Sequence, residues 1–398
     1  MVKLAGICLL LAGVARALAG QAPLQAETRH LALTHDLIGL HANLTSIESI
    51  TGNEEGVGEW LVSSLKSQGY SVEKQYVEEK PARFNVLAWP GKARADAKVL
   101  VSSHIDTVPP FYPYKHHKDK TITGRGSVDA KGSVATQIIA VNKLISSGKI
   151  SPDDIAFLFV VGEEVGGDGM RKANDLGLEP QTIVFGEPTE GKLASGHKGN
   201  LMVKLTAKGK AAHSGYPWLG RSANEVLVKA LAALMELGQN LPESEKYGLT
   251  TLNIGHMEGG VASNVVAQDA SAAVAVRIAE GTPEFIKGEI TNAVHMAVSS
   301  FLDDDMKPGD VIDIVFPSAG YGPIEIDHDI PGFEAMTVNY GTDIPNLNAT
   351  VDGQKRYLYG PGSILVAHSD HEMLTEDELY GAVAEYEKIV LHALGKKP

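Results

Sequence analysis

Cysteine is almost missing from this chain: one residue in 398, Cys8, carries a thiol. It falls in a leader-like N-terminal stretch, so the rest of the chain has no disulfide, thiolate metal site or cysteine nucleophile. Positive charge is also short, with 35 Lys and Arg against 49 Asp and Glu and a formal net charge of -14. That balance argues against nucleic acid or an anionic membrane surface as a partner. The apolar run Leu4 to Ala15 falls well short of the roughly 20 residues that a membrane span needs. Repeats and low-complexity segments are absent. What remains is 43% hydrophobic and 21% charged with 42 glycines, a composition that suits a globular α/β enzyme. The length exceeds one ordinary core and implies two domains.

The N-terminus reads as a secretory signal peptide over 1–19. Lys3 is basic, a short apolar centre follows, and Ala17-Leu-Ala19 offers an Ala-x-Ala exit. Cleavage after Ala19 is expected, with Ala17 as the alternative because Arg16 is unusual there. The mature protein is therefore expected to be secreted and extracellular. In that setting the sequons Asn43-Leu-Thr45 and Asn348-Ala-Thr350 become candidate glycosylation sites.

From Gln21 to about Ser195, strands alternate with helices, the pattern of a mostly parallel sheet. The segment Glu55 to Gln68 has Val57, Leu61 and Leu65 at helical spacing. Strands are expected at Ala97 to Ser103, Ile155 to Val161 and Thr182 to Phe185, and a helix follows Asp129. Near Ser195 the texture changes: strand, helix, strand, helix and strand alternate through Phe316, an α+β insert. The chain then returns, with a strand expected at Ser363 to Val366 and a capped helix from Thr375. The fold class is thus α/β, a mixed, mostly parallel sheet flanked by helices, carrying an inserted α+β domain. The expected division is 20–195 with 318–398 for the first domain and 196–317 for the insert.

Chemistry-bearing residues collect after the first-domain strands. His104 and Asp106 follow one, Asp129 opens a helix, Glu163-Glu164 follow Gly162, Glu187 follows Gly186, and His368 lies in a late loop. Ligands gather at the carboxyl ends of parallel strands. Taken alone, the Glu163-Glu164 pair reads better as a solvated loop, and His-x-Asp as a local hydrogen bond. Together, oxygen and imidazole donors without thiolate fit zinc, cobalt or manganese at an open catalytic site. An aspartate two residues beyond a histidine can accept its second ring proton and orient it. His116-His117 lie in a Lys-rich loop and read as solvated, and Gly124-x-Gly leads to an aspartate rather than a phosphate-cradling helix.

Five motifs carry a family resemblance: Ser103-His104-Ile-Asp106-Thr-Val-Pro109, Gly124-Arg-Gly-Ser-Val-Asp129-Ala-Lys-Gly132, Gly162-Glu163-Glu164-Val-Gly166, Gly186-Glu187-Pro188, and Gly360-Pro-Gly362 with Ala367-His368. The chain resembles the zinc aminoacylase, acetylornithine deacetylase, succinyl-diaminopimelate desuccinylase and carboxypeptidase G superfamily over nearly all its mature length. The resemblance implies two zinc ions per subunit, with cobalt or manganese as alternatives, bridged by Asp129. It assigns His104 and Glu187 to one ion, Glu164 and His368 to the other, Glu163 as general base and Asp106 as the orienter of His104. His371 competes with His368, which is preferred on its spacing to Glu372 and the preceding Ala. In the insert, Gly209 to Pro217 resembles the family's lid and dimerisation domain. His213 would there stabilise the oxyanion, while Asn264, Arg277 and the Gly360 and Gly362 loop would hold the substrate carboxylate. A homodimer through the lid is implied.

The expectation is a secreted, glycosylated metallo-carboxypeptidase acting on peptides or N-acyl amino acids. An aminoacylase or deacetylase acting on small N-acyl amino acids is the second reading. A non-catalytic secreted binding protein is the third, disfavoured because the ligand and base positions are intact.

Overall fold

A computed structural model describes residues 37–92, 94 and 97–397. The expected signal peptide lies outside the described residues. The chain forms two compact units. The first runs to Leu193 and regains Asp329–Glu334 and Asn346–Pro398; the second comprises Ala194–His328 and Ala335–Pro345. The second unit thus reaches further along the chain than 196–317.

In chain order the main elements of the first unit are α1 (Glu55–Ser67), β1 (Ser71–Glu79), β2 (Ala82–Trp89), β3 (Val99–His104), α2 (Lys131–Ser146), β4 (Ile155–Val160) and β5 (Thr182–Gly186). The second unit supplies β6 (Gly199–Lys208), α3 (Ala223–Leu237), β7 (Thr251–Gly259), β8 (Asp269–Ile278), α4 (Pro283–Ala297) and β9 (Ile312–Val315). The return to the first unit adds β10 (Lys355–Tyr359) and α5 (Glu376–Ala393).

The first sheet has the order β1-β2-β4-β3-β5-β10. Strands β4, β3, β5 and β10 are parallel, and the β1-β2 hairpin extends the sheet antiparallel from β4. Every residue of β3, β4 and β5 is buried, as a strand covered on both faces must be. Phe157 and Phe159 stack at 5.3 Å within this layer. Strand β3 connects onward to its neighbour β4, while β5 connects onward to β10 on the other side. Adjacent strands whose loops leave in opposite directions open a crevice at their carboxyl ends. His104 closes β3 and Glu187 follows β5, so both stand at that crevice.

The second unit is an antiparallel sheet, β7-β8-β6-β9. Alternate residues of β6 and β8 are buried, and the buried rows pack with Val226, Ala230 and Leu234 of α3 and Ile286, Ile290 and Val294 of α4. Ser222 and Thr282 cap these helices by accepting from Glu225 N and Phe285 N.

The strand expected at Ser363 to Val366 does not form. The segment is a turn, with Val366 N bonded to Ser363 O and Ala367 N to Ile364 O, and Leu365 is 82% exposed. Gly360-Pro-Gly362 ends the sheet first, and the true strand is the preceding β10. The β1-β2 hairpin and β7 have no counterpart in the sequence expectation. Strands β1 and β7 are largely polar and exposed, which weakens the apolar signal, whereas β2 is buried and mostly apolar. Among the described residues no helix is long and apolar enough to cross a membrane.

Candidate metal centre

Strand and helix ends of the first unit converge on one cluster. His104 is 1% exposed, and its Nε2 lies 3.0 Å from Asp129 Oδ1 and 3.7 Å from Glu187 Oε1. His368 Nε2 lies 3.3 Å from Asp129 Oδ2 and 3.0 Å from Glu164 Oε2. Asp129 therefore gives one carboxylate oxygen to each histidine, and each imidazole has its own flanking glutamate. Donor atoms of His104, Glu163 and Glu187 fall within 4.8 Å of one another, as do those of His104, Asp129 and Glu164.

Local geometry explains each placement. Gly162 takes φ 77°, and a Cβ there would stand 1.8 Å from Asp168 Oδ1. The glycine lets the chain turn off β4 into a short turn, Glu163–Val165, so that the two carboxylates leave the strand end at different angles. Asp168 is held in turn by Arg83, which also grips Glu54 in a largely buried triad. His368 adopts φ 61°, left-handed backbone uncommon for a non-glycine residue. Such strain is often found where side-chain direction matters.

Two buried carboxylates brace the ligand loops. Asp106 Oδ1 accepts from Glu163 N, while Oδ2 accepts from Glu164 N (each 3.2 Å) and from Thr51 Oγ1 at 2.7 Å. The His104 Nδ1 hydrogen bond goes to the Asp106 main-chain carbonyl at 3.0 Å, with carboxylate Oδ1 standing off at 3.5 Å. Asp106 thus meets the His104 ring through its main-chain carbonyl first, with its carboxylate just behind. Glu372 repeats the device: Oε1 accepts from Val128 N and Asp129 N, and Oε2 from Arg125 Nη1 at 2.7 Å.

Charge crowding tests whether a cation fits. Glu164 Oε1 is buried without a hydrogen-bond partner. Burial raises Glu187 to about 8, against the pull of His104, and burial plus the nearby Asp129 raises Glu164. His368 is driven to about 10 by its bonds to Asp129 and Glu164. Burial opposes charge on His104, yet Glu187, Asp106 and Asp129 together hold its pKa well above the usual value. Burial alone would raise Asp129, but the two histidines hold it below the carboxylate range. Divalent cations would serve the same carboxylates without protonating the imidazoles, and the oxygen and nitrogen donor set suits them.

The other sequence candidates sit elsewhere. His371 Nδ1 pairs with Asp370 on the surface, away from the cluster. The Gly360 N–H is spent on Thr189 Oγ1 at 3.0 Å and Pro361 has none, so Gly360 is corrected: it offers no backbone donor to an anion. A Cβ on Gly360 would meet Glu187 O at 2.3 Å, and this close packing accounts for the glycine. In the second unit His213 is exposed, its Nδ1 accepting from Gly215 N, and the Asn264 carbonyl accepts from Ser214 N. Arg277 lies half-buried beside Gly341 with no hydrogen-bond or ion-pair partner among the described residues. His116 pairs with Glu376. Sequence reasoning missed Thr51, Arg83 and Arg125. The two arginines signalled themselves only as charge inside apolar or glycine-rich stretches, and Thr51 gave no signal.

Two family models match the chain, a peptidase dimerisation domain over residues 195–300 and peptidase family M28 over 85–178. A probable carboxypeptidase of Emericella nidulans is 47% identical over 386 residues, covering 90% of this chain and 89% of that one. The chain belongs to this carboxypeptidase family, within the M20 metallopeptidases. A probable carboxypeptidase of Arthroderma otae is 44% identical over 408 residues, covering 94% of this chain and 89% of that one. Two solved structures share the fold. A tripeptidase of Staphylococcus aureus matches at TM-score 0.72 and 23% identity, covering 91% of this chain and 99% of that one. An M20 family metallo-carboxypeptidase of Sulfolobus solfataricus matches at TM-score 0.70 and 16% identity, covering 90% and 99%. This M20 member is a hydrolase of the metallopeptidase class, a class built around divalent metal.

Proposed function

We propose that the protein is a secreted zinc carboxypeptidase that releases the C-terminal residue of peptides or N-acyl amino acids. The observation that carries this reading is the division of the Asp129 carboxylate between His104 and His368. Asp129 would bridge two ions, with His104 and Glu187 completing one site and Glu164 and His368 the other. When bound, the ions would supply Lewis-acid chemistry, polarising the scissile carbonyl and making a water more acidic.

The chain's own residues do the rest. Glu163, beside Glu164 on the braced turn, takes the proton of the attacking water and returns it to the departing amine. Asp106 keeps His104 Nε2 turned towards Asp129 and Glu187. Arg277 of the second unit offers a guanidinium fork with no partner among the described residues, the chemistry that reads a free carboxylate, with Asn264 as its neighbour in role. His213 is assigned to the oxyanion on the family resemblance. Secretion rests on the N-terminal pattern, and carboxypeptidase activity on the names of the relatives. Exposed Asn348 is an accessible glycan acceptor, whereas the Thr45 hydroxyl of the Asn43 sequon is fully buried. The match to a dimerisation domain supports a homodimer formed through the second unit.

The test pairs Glu163→Gln with a substrate panel. The variant should lose about 10²–10⁴ in turnover while elemental analysis still finds two metal ions per chain. Dipeptides with a free C-terminus should be cleaved and their amides spared. Equal cleavage of amides ends the carboxypeptidase reading, and a preference for acetyl amino acids transfers the site to aminoacylase chemistry.

A further inference from the structure

Beyond β5 and β10, two segments of the first unit run side by side. Thr189 N and Gly191 N bond Gly360 O, and Glu190 N bonds Gly362 O at 2.9 Å. Between this pair, Gly332–Glu334 and α5 opens a cavity of about 440 Å³. That is the size of a small-molecule site. None of His104, Asp129, Glu163, Glu164, Glu187 and His368 lines it.

Its walls have a consistent chemistry. Phe333 and Tyr359 meet edge to face at 5.7 Å and form the aromatic side. Glu190, Glu334, Glu378 and Glu385 face a single lining cation, Lys192. Lys192 stands 3.7 Å from Glu334, and Lys388 engages Glu385 at 2.8 Å, which leaves a negative excess. Glu190 is held at φ 56°, left-handed backbone that a non-glycine residue adopts at a cost.

A second observation points to an occupant. Tyr359 is 1% exposed, yet its hydroxyl has no hydrogen-bond partner among the described residues. Buried phenols ordinarily find one. The oxygen ends beside Gly191, where a Cβ would stand 3.7 Å away, and both residues line the cavity. We propose that this cavity is a second binding site of the first unit, taking a small free organic cation: an alkylammonium or guanidinium on an apolar stem. The cation's N–H donates to Tyr359 Oη, its stem lies on Phe333, and the surrounding carboxylates supply the charge. A bare metal ion fits poorly. Glu378 is committed to the α5 cap, accepting from Thr375 N and Oγ1, and the cavity is far larger than an ion.

Agmatine, a guanidinium on a four-carbon stem with no carboxylate, is the probe, titrated calorimetrically into the metal-loaded full chain. Saturable one-to-one binding with Kd of about 1 mM or tighter is expected. Tyr359→Phe removes an oxygen bonded to nothing else and should weaken binding about tenfold. Glu334→Gln, on a side chain 81% exposed and harmless to folding, should weaken it severalfold. Glu163→Gln should leave it unchanged, and 1-pentanol should not bind. No saturable heat up to about 20 mM agmatine would overturn the proposal. So would binding that survives both cavity variants, binding lost in Glu163→Gln alone, or equal binding of pentanol.

Discussion

Replacing Asp106 by Asn changes one atom and tests how the ligand loops are held. The carboxylate is fully buried and uses both oxygens: one accepts from Glu163 N, the other from Glu164 N and Thr51 Oγ1. An amide must turn its NH2 towards one of these. Facing Glu163 N, it sets donor against donor. Facing the other side, it lets Thr51 reverse its hydroxyl but opposes Glu164 N. Either way one buried backbone N–H is orphaned, at about 1–3 kcal/mol, and the surviving bonds lose their charge assistance at about 1 kcal/mol each. The sum is about 3–5 kcal/mol against the first unit, a fall of on the order of 5–10 °C in its melting temperature. His104 should be affected less, because its Nδ1 is bonded to the Asp106 carbonyl, which the substitution leaves in place. Metal affinity should therefore drop by only about tenfold, the low end for a residue supporting ligands. Differential scanning calorimetry and competition with a chromophoric chelator read the two effects separately. If melting moves by less than about 2 °C, the bracing role assigned to the carboxylate is wrong. If affinity falls more than about 100-fold, the side chain, not the main chain, orients His104.

Glu372→Gln should cost about 3–5 kcal/mol in urea unfolding, because Arg125, 2% exposed, is left as an unpaired buried charge. The double variant Glu372→Gln/Arg125→Leu should recover part of that loss; a double variant worse than the single would refute the ion-pair argument. Burial depresses His41 and His197 to about 4 from 6.5, so each is neutral when folded and more basic when unfolded. Their stability is fully present above pH 6.5 and is lost as pH falls through 4, up to about 3 kcal/mol each. Denaturation midpoints of His41→Gln/His197→Gln should accordingly be flatter between pH 7 and 4 than those of the parent.

Most of the carboxylate and imidazole cluster was legible in sequence because its residues end strands or open a helix, where apolar runs stop abruptly at a charged residue. His368, in a turn, was settled over His371 only through the family resemblance. His104, Glu163 and Glu187 each follow such a run within a few residues. The late strand was misplaced for the converse reason. Ser363 to Val366 is apolar enough for a strand, but Gly360-Pro-Gly362 breaks the sheet before it, and Lys355-Arg356 disguise the real strand as surface. The β1-β2 hairpin was silent because Ser71–Glu79 is mostly polar and lies at the edge of the sheet. The Gly360 assignment failed because a glycine needed for close packing and one needed to expose an N–H look alike in sequence.

What sequence could not supply was the bracing, and the reason is distance along the chain. Glu372 reaches back to Val128 and Asp129, and Asp106 reaches forward to Glu163 and Glu164. Both carboxylates do the same work: each takes the two successive backbone N–H groups of a loop that presents a metal-cluster residue. A loop held by its main chain leaves its side chains free to face inward, and a carboxylate can accept two such bonds where a neutral acceptor would form weaker ones. The arrangement also follows from repulsion. Asp129, Glu164 and Glu187 crowd within reach of one another, so each would swing outward unless its backbone were fixed elsewhere. Charge held near the cluster but bonded to main chain and to Arg125 or Thr51 opposes that swing without offering the cluster another ligand. The acidic site is therefore kept acidic by acids that never join it.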